Sequence, residues 1–329
     1  MTADLVNRFR AKLDAGHFEL PHLGEGASAR RFFELQRIAV CDPSLARVVE
    51  AHVDAVQILR EAHRPITAGA WYGVWAADDP STELRLGERD GCWRLSGSKA
   101  FCTAAPFVDR ALITVRTPDV VLLDVDIAAN RHRLTIDTTD WRTPAFADTG
   151  TANVEFHDVA VAPEALVGPP GWYLDRPGFW NGACAPAACW AGSAQGLARS
   201  TIERLVTTKA SAHVSVAIGT LLALSAQMDA VLAHAGTEID LDPDNATGAA
   251  LRAYSVRHNI ERACVQTLDV IARISGPRPF ISDESFQRRS LQIQLYVRQF
   301  HAERDLEALG DLARQSIGQW SRRDSEAPT

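Results

Sequence analysis

The sequence predicts an α+β fold in which helices and strands occupy separate blocks: an N-terminal helical domain, a central antiparallel β domain and a C-terminal four-helix bundle. Two changes of residue pattern along the chain indicate this arrangement. Helical spacing of apolar residues ends near residue 68, short apolar stretches follow, and long apolar-patterned runs return near residue 176. We therefore expect domains at residues 1–68, 69–175 and 176–329.

The N-terminal block has the spacing of amphipathic helices. Apolar residues recur at steps of three and four between residues 33 and 59. Asp42 followed by Pro43 is typical of a helix start, because the carboxylate can cap the helix and proline lacks only an N–H that would be unpaired there. Pro65 marks the predicted end of the block.

The central block contains short apolar stretches separated by Gly, Asp, Asn and Pro. In chain order they are WYGVWA, CWRLSG, KAFCTA, ALITV, VVLLDVDI, RLTIDTT and ANVEFHDVAV. Spacing this close favours antiparallel strands in a sandwich or barrel-like arrangement, because helices need longer uninterrupted runs.

The C-terminal block contains four segments with helical patterns. They cover residues 187–206, 213–235, 249–274 and 286–309. A glycine at position 310 is predicted to end the fourth helix, and a last short helix is expected at residues 311–320. Together these segments predict the four-helix bundle.

Composition excludes several classes of function. The chain is 46% hydrophobic and 23% charged, and 34 Lys and Arg against 41 Asp and Glu give a net charge of −7, so we expect no nucleic-acid or membrane partner. No apolar run reaches the roughly 20 residues of a membrane span, and the N-terminus lacks a signal-peptide pattern, which predicts a cytoplasmic protein. The six cysteines form no CxxC and show no zinc-ligand spacing, so we expect reduced thiols and no metal.

Residues 93–115, WRLSGSKAFCTAAPFVDRALITV, form the most informative motif. The pattern predicts a strand, a Ser-Gly-Ser turn, a second strand and another apolar strand. It resembles the flavin-contacting centre of the acyl-CoA dehydrogenase family. Weaker similarities follow in that family's order: TANVEFHDVAVAPEALVG, AGSAQGLARSTIERL and ERDLEALG. The combination resembles a divergent, short member of that family, and the resemblance implies an acyl-CoA dehydrogenase-like fold.

The resemblance implies FAD, bound non-covalently between the β domain and the bundle, and a homodimer or homotetramer. Thr103 stands where the family has a hydroxyl that donates to the flavin edge, and Phe101 stands where an aromatic packs along the ring. A small neighbour, Ala104, lets the backbone approach a ring closely. Trp75 and Ser81, in the upstream segment YGVWAADDPST, are further candidates for cofactor contact, although the family's usual loop pattern is changed there.

The catalytic glutamate of that family is missing from both of its usual regions. Removal of the proton alpha to a thioester needs a carboxylate base while the flavin accepts hydride. No Asp or Glu occurs between Asp175 and Glu203, and the C-terminal segment LQIQLYVRQFHA also lacks carboxylates. Arg298 stands near the expected place, and a guanidinium cannot serve as that base.

A polar line is predicted on the C-terminal helix instead. Gln294, Arg298, His301 and Asp305 follow at helical steps, which predicts that they share one face. His301 with Asp305 can form an oriented acid–base pair and Arg298 can contact an anion, so His301 and Arg298 are the catalytic candidates. The flavin monooxygenases of this fold use such a His beside an Arg, whereas a solvated helix face gives the same pattern.

The sequence therefore predicts an FAD-dependent oxidoreductase of the acyl-CoA dehydrogenase type. Its expected substrate is a small molecule such as an acyl-CoA or acyl-carrier thioester, with an electron acceptor that the sequence does not name. The missing base leaves two alternatives: a flavin-dependent monooxygenase with His301 as the acid–base residue, or a catalytically degenerate partner subunit.

Overall fold

The computed structural model describes the backbone of residues 2–325 and the side chains of residues 3–316. Helical, β and helical blocks follow one another as predicted, which confirms the α+β class. The helices are α1 (Thr2–Asp14), α2 (Ser28–Cys41), α3 (Pro43–Glu61), α4 (Ile127–Asn130), α5 (Trp172–Asp175), α6 (Pro177–Gly182), α7 (Cys184–Leu205), α8 (Ala212–Leu241), α9 (Ala246–Ser275), α10 (Arg278–Ser282), α11 (Glu284–Tyr296) and α12 (Glu303–Ser325). The strands are β1 (Tyr72–Trp75), β2 (Leu84–Arg89), β3 (Cys92–Cys102), β4 (Arg110–Arg116), β5 (Val120–Asp126), β6 (Leu134–Asp137) and β7 (Ala152–Val161).

Helix α3 begins where the sequence predicts. The Asp42 side chain accepts a hydrogen bond from the Leu45 backbone N–H at 3.0 Å, and Pro43 occupies the first helical position. The cap satisfies one backbone donor that the first turn leaves unpaired. This local signal and the apolar stripe behind it therefore fix the start and the direction of α3.

Helix α2 of the N-terminal block packs directly onto helix α7 of the bundle. A Cβ atom at Gly192 would lie 2.1 Å from the Gln36 carbonyl oxygen, and one at Gly196 would lie 2.4 Å from the Val40 carbonyl oxygen. Glycine is required at both positions because any side chain would force the two helices apart. The two helical blocks thus share one packed interface.

Within the described residues the strands form two sheets, ordered β1-β4-β5 and β2-β3-β7-β6. The pairs are antiparallel, as predicted, except that β1 runs parallel to β4. Parallel pairing requires a crossover, and the chain between β1 and β4 supplies it as the antiparallel pair β2 and β3. The segment from β1 to β4 therefore links the two sheets.

The Ser-Gly-Ser turn predicted at residues 96–98 is wrong, because β3 runs through it without interruption. The register between β3 and β7 shifts between Leu95 and Gly97, which marks a β-bulge. Gly97 has a φ of +108°, and a Cβ atom there would lie 2.2 Å from the Glu83 carbonyl oxygen. A bulge and a tight turn both need a glycine backbone, so the sequence pattern does not separate them.

The single C-terminal helix predicted over residues 286–309 is wrong as well. Helix α11 ends at Tyr296, a 3-10 turn covers Val297–Gln299, and α12 begins at Glu303. Residues spaced at helical steps on the two sides of this interruption do not share a face. The predicted line of polar residues is therefore broken between Arg298 and His301.

A local cap explains the interruption. Ala302 has a φ of +50°, and the Asp305 carboxylate accepts a hydrogen bond from the His301 backbone N–H at 2.9 Å. This reach-back bond starts a new helix. Gly310 lies inside α12, and the short helix predicted at residues 311–320 is part of it, because glycine costs about 1 kcal/mol in a helix without ending it.

A buried polar network connects the β domain to α3 and α11. The Ser44 hydroxyl donates to Asp148 at 2.7 Å, Gln292 donates to Ser44 at 2.9 Å, and Arg288 donates to Asp148 at 3.0 Å. Its members are mutually satisfied, which makes such a network rigid. The Ala104 backbone N–H donates to the carbonyl of the neighbouring residue 149 at 3.1 Å, so the network also positions the end of β3.

Helix α8 is long, apolar and largely uncovered. Its most apolar 18-residue window has a mean hydropathy of 1.7 and is 28% buried. By length and composition alone it is the one helix of the described chain that could cross a membrane, which is weak evidence for a span. Val216 and Leu222 are 68% and 57% exposed. An apolar helix that is left this open to solvent is typical of a surface that meets another protein or a membrane.

Candidate active site

The end of β3 carries the residues predicted to contact a cofactor. Thr103 is buried; its carbonyl oxygen accepts a hydrogen bond from the Trp75 indole N–H at 3.1 Å, and its hydroxyl accepts one from Arg47 at 3.2 Å. Phe101 is 52% exposed and has a φ of +56°. A bulky residue rarely adopts that backbone conformation. The segment therefore presents an aromatic ring at the surface of the β domain beside a buried hydroxyl.

The other two predicted cofactor residues lie in different surroundings. Trp75 is fully buried behind Thr103, where its indole fixes the carbonyl of that residue. Ser81 is exposed, and its N–H and hydroxyl both donate to the Asp79 carboxylate, at 2.8 and 2.5 Å. Trp75 thus supports the β3 segment and Ser81 closes a surface turn, while direct contact of either with a cofactor stays a prediction.

Arg298 and His301 lie on opposite sides of the break between α11 and α12, so their predicted common helix face is wrong. Arg298 forms an ion pair with Glu261 of α9. The His301 Nδ1 lies 3.4 Å from the Asp305 carboxylate, and the His301 side chain is 52% exposed. The predicted His301–Asp305 pair is present, whereas Arg298 is engaged by a carboxylate of its own.

Helix α3 carries a polar stripe that was not predicted from the sequence, because only the apolar residues of this helix were considered there. Its members are spaced at alternating steps of three and four and share one face; they are Arg47, Glu50, Asp54, Gln57 and Glu61. The first member contacts Thr103, and the last pairs with Arg176. The same spacing rule applied to polar residues would have found the stripe.

The two carboxylates in the middle of this stripe are held in an unusual state. Glu50 and Asp54 are each partly exposed, and within the described chain neither has a direct hydrogen-bond or ion-pair partner. Burial, reinforced by the Asp54 charge and opposed by Arg47, raises the pKa of Glu50 to about 8. Burial also raises the pKa of Asp54, against the charge of Arg176. Both side chains keep some accessible surface although protein surrounds them, from which we infer a solvent-sized space beside them, called here the cleft beside α3.

Two arginines stacked on neighbouring aromatic rings form another part of this cleft. The Arg257 guanidinium of α9 lies 4.8 Å from the centre of the Trp190 ring, and that of Arg47 lies 5.0 Å from the centre of the Tyr296 ring. The two rings are 6.1 Å apart. The charges of both arginines oppose the effect of burial on the pKa of Glu50, which indicates that the three groups lie near one another.

The outer end of the stripe opens into a surface pocket of about 620 Å³. Gln57, Glu61, Arg176 and Asn181 contribute to its walls. Asp54, the next stripe residue inward, lies so near α6 that a Cβ atom at position 182 would be 3.1 Å from its carboxylate. The stripe therefore leads from the protein surface towards Thr103.

The buried histidine of α3, His52, has a structural role. His52 accepts a hydrogen bond from the Tyr72 backbone N–H at 3.2 Å, and burial lowers its pKa to about 4, so it is a neutral core residue. In the part of the chain that the structure describes, no cluster of three or more His, Cys, Asp or Glu side chains could hold a metal ion.

The sequence matches no protein-family model and no curated protein. Solved structures do match it. KijD3, solved with FMN and dTDP-3-amino-2,3,6-trideoxy-4-keto-3-methyl-D-glucose, superposes with a TM-score of 0.79 at 16% identity, over 95% of this chain and 86% of that one.

Two further structures agree with that match. TdsC of Paenibacillus sp. A11-2, a dibenzothiophene monooxygenase solved with FMN and indole, has a TM-score of 0.73 at 15% identity, over 94% of this chain and 95% of that one. Butyryl-CoA dehydrogenase of Megasphaera elsdenii has a TM-score of 0.72 at 13% identity, over 85% and 80%. The acyl-CoA dehydrogenase-like fold predicted from the sequence is thereby confirmed.

Proposed function

We propose that this protein is a flavin-dependent oxidoreductase whose flavin ring lies where the end of β3 faces the helical domains. One observation carries the proposal: the fold is that of structures solved with FMN, over 94–95% of this chain, and it places exposed Phe101 beside Thr103. An aromatic ring and a neighbouring hydroxyl suit the flat, polar-edged flavin.

The residues at this point fit such a ring with Arg47 left in place, because the Thr103 hydroxyl accepts a hydrogen bond from Arg47 and keeps its own hydrogen to donate. A single 3.2 Å hydrogen bond joins the Arg47 side chain to Thr103, and that side chain is partly exposed. Bound flavin would supply two-electron transfer, with Phe101 along the ring and Thr103 at its edge. The half-exposed Phe101 supports this arrangement because a ligand would cover apolar surface that is otherwise left in water. Both FAD, expected from the sequence, and FMN are compatible with these contacts.

Glu50 supplies the carboxylate that the C-terminal domain lacks. A base works best when its pKa lies near the operating pH, and the pKa of Glu50 is about 8. An ionised Glu50 can accept the proton alpha to a thioester, which supports the acyl-thioester dehydrogenase expected from the sequence. In this mechanism Asp54 acts through Glu50, since its negative charge favours the protonated form of Glu50.

A monooxygenase is the second candidate function. The likeness to TdsC and the 3.4 Å separation of His301 from Asp305 both favour it. In that reaction His301 would act as the acid–base residue. A degenerate partner subunit is the outcome that a failure to bind flavin would support.

We further propose that the chain forms a homodimer or homotetramer through α8. Residues 212–227 of this helix contain no Asp, Glu, Lys or Arg, and its Val216 and Leu222 are exposed. A second copy of the helix would remove these side chains from water.

Flavin reconstitution tests the proposed function. Purified protein is titrated separately with FAD and FMN while flavin fluorescence and absorbance are recorded. We expect saturable binding of one flavin per chain, and Thr103→Val should weaken it by about tenfold, the value of one hydrogen bond of about 1.4 kcal/mol. Thr135→Val, an exposed strand position, is the matched control and should bind as the wild type does. Absence of binding, or equal affinity for Thr103→Val, would contradict the assignment.

A further inference from the structure

We propose that the cleft beside α3 binds the anionic group of the substrate, a carboxylate or a phosphate, through Arg257 and Arg47. The inference deepens the proposed function and rests on it for the identity of the ligand as a substrate. Three features support it: the partners of the two guanidinium groups, two buried donors on the neighbouring rings, and the charge of the cleft.

Arg257 has no direct carboxylate partner within the described chain. Its guanidinium donates to two backbone carbonyls, that of Ala183 at 3.0 Å and that of Gln299 at 2.6 Å. The carboxylates of Asp305 and Glu50 act on it only as more distant charges. A guanidinium carries five N–H donors, so this one is oriented by the backbone with donors left over. Such an arginine is suited to bind an anion from outside the chain.

Arg47 also has no direct carboxylate partner within the described chain. Its one hydrogen bond goes to the neutral Thr103 hydroxyl, and its Nε is buried without a partner. The face of its guanidinium lies against Tyr296. Stacking against an aromatic ring orients the planar group and leaves its edge free to donate.

Two further buried donors lie on the aromatic rings beside the arginines. The Tyr296 hydroxyl and the Trp190 indole N–H are buried without a conventional hydrogen-bond partner in the described structure. Tyr296 is 2% exposed and Trp190 is fully buried, and only the weak thiol of Cys189 adjoins the hydroxyl. Buried polar groups are nearly always paired in folded proteins. Both unpaired groups belong to the rings on which the two arginines stack.

The charge of the cleft favours an anion. Glu50 is an acidic group that interacts electrostatically with both arginines, and its raised pKa keeps it largely protonated at neutral pH. The other charged or titratable groups that interact with Glu50 are Arg31 of α2, Asp54 of α3, Tyr173 of α5, Cys189 of α7 and Tyr296 of α11. Anion affinity should therefore fall as the pH rises through about 8.

Anion titration of the full-length, flavin-loaded protein tests the site. Inorganic phosphate and malonate are the probes, sodium chloride at equal ionic strength is the control, and binding is followed by calorimetry. We expect saturable binding of one anion per chain, weakened about tenfold or more in Arg257→Gln. Arg262→Gln, an exposed arginine on the same helix, should bind as the wild type does.

A second variant separates a loss of anion binding from a loss of folding. Tyr296→Phe removes only a hydroxyl without a conventional partner, so it should leave the fold intact and still weaken anion binding by several-fold. Non-saturable binding, or unchanged affinity in both Arg257→Gln and Tyr296→Phe, would overturn the site. Competition between phosphate and flavin would overturn its assignment to the substrate. Anion binding by a protein that fails to bind flavin would support the site while contradicting the proposed function.

Discussion

Replacement of Glu50 by glutamine should change how the stability of this protein depends on pH. Glutamine has the shape of a protonated glutamic acid and cannot ionise, so Glu50→Gln fixes the state that the folded protein prefers below about pH 8. The substitution therefore isolates the cost of placing one negative charge in the cleft.

The magnitude follows from the shift in pKa. The ordinary pKa of a glutamate is 4.5 and that of Glu50 in the folded protein is about 8. Between these values the unfolded chain is ionised while the folded protein keeps its proton, so the folded state binds more protons and its stability falls as the pH rises. Each pH unit corresponds to about 1.4 kcal/mol, which gives a loss of roughly 5 kcal/mol from this group, fully developed above pH 8 and absent below pH 4.5.

Urea unfolding at several pH values measures this loss. The free energy of unfolding of wild type should fall relative to that of Glu50→Gln as the pH is raised from about 5 to about 8.5, with the variant the more stable protein at the upper end. Glu88→Gln removes a negative charge from an exposed position of β2 and is the control. Curves for wild type and Glu50→Gln that run parallel across the range would refute the raised pKa and with it the proposed role of Glu50.

Two further substitutions test the alternative chemistry and the assembly. His301→Ala should abolish oxygen-dependent turnover, by a factor of about 10² to 10⁴, if the His301–Asp305 pair is the acid–base group of a monooxygenase. The assay is oxygen uptake with supplied reduced flavin and indole as the probe, and unchanged uptake would remove His301 from the mechanism. Leu222→Arg should shift the protein to a smaller assembly in sedimentation velocity, since it places a charge on the exposed face of α8, whereas Ile66→Arg, at another exposed apolar position, should not. A wild-type protein that sediments as a monomer would contradict the proposed oligomer.

Local signals in the sequence were reliable where a few neighbouring residues decide the structure. The cap at Asp42 started α3 as predicted, because capping depends on residues within one turn. The break after α11 was missed because Ala302 adopts a left-handed backbone that neither its identity nor its neighbours indicate. The β-bulge at Gly97 was read as a turn for a similar reason, since only the approach of another strand distinguishes the two.

The residues of the candidate site also fall into those that the sequence predicted and those that it did not. The motif around Thr103 was found because its residues are consecutive in the sequence, in strand β3 and directly after it. Glu50 was missed although its spacing was visible, because its significance arises only when Arg257 and Tyr296, more than 200 residues further along the chain, come to face it. A pKa near 8 is a property of that assembled environment, and no glutamate has it in the unfolded chain.

The sequence alone determined the order of the helical and β blocks, the start of α3 and a strand segment directly before Thr103. These features follow from periodicity, caps and turn residues, which act over a few positions of the chain. Tertiary structure alone decided that Arg298 and His301 separate and that two carboxylates and two arginines, none with a direct ion-pair partner in the described chain, lie near one another. The physical reason is that burial and charge–charge interaction depend on distance in space, which distance along the sequence does not set.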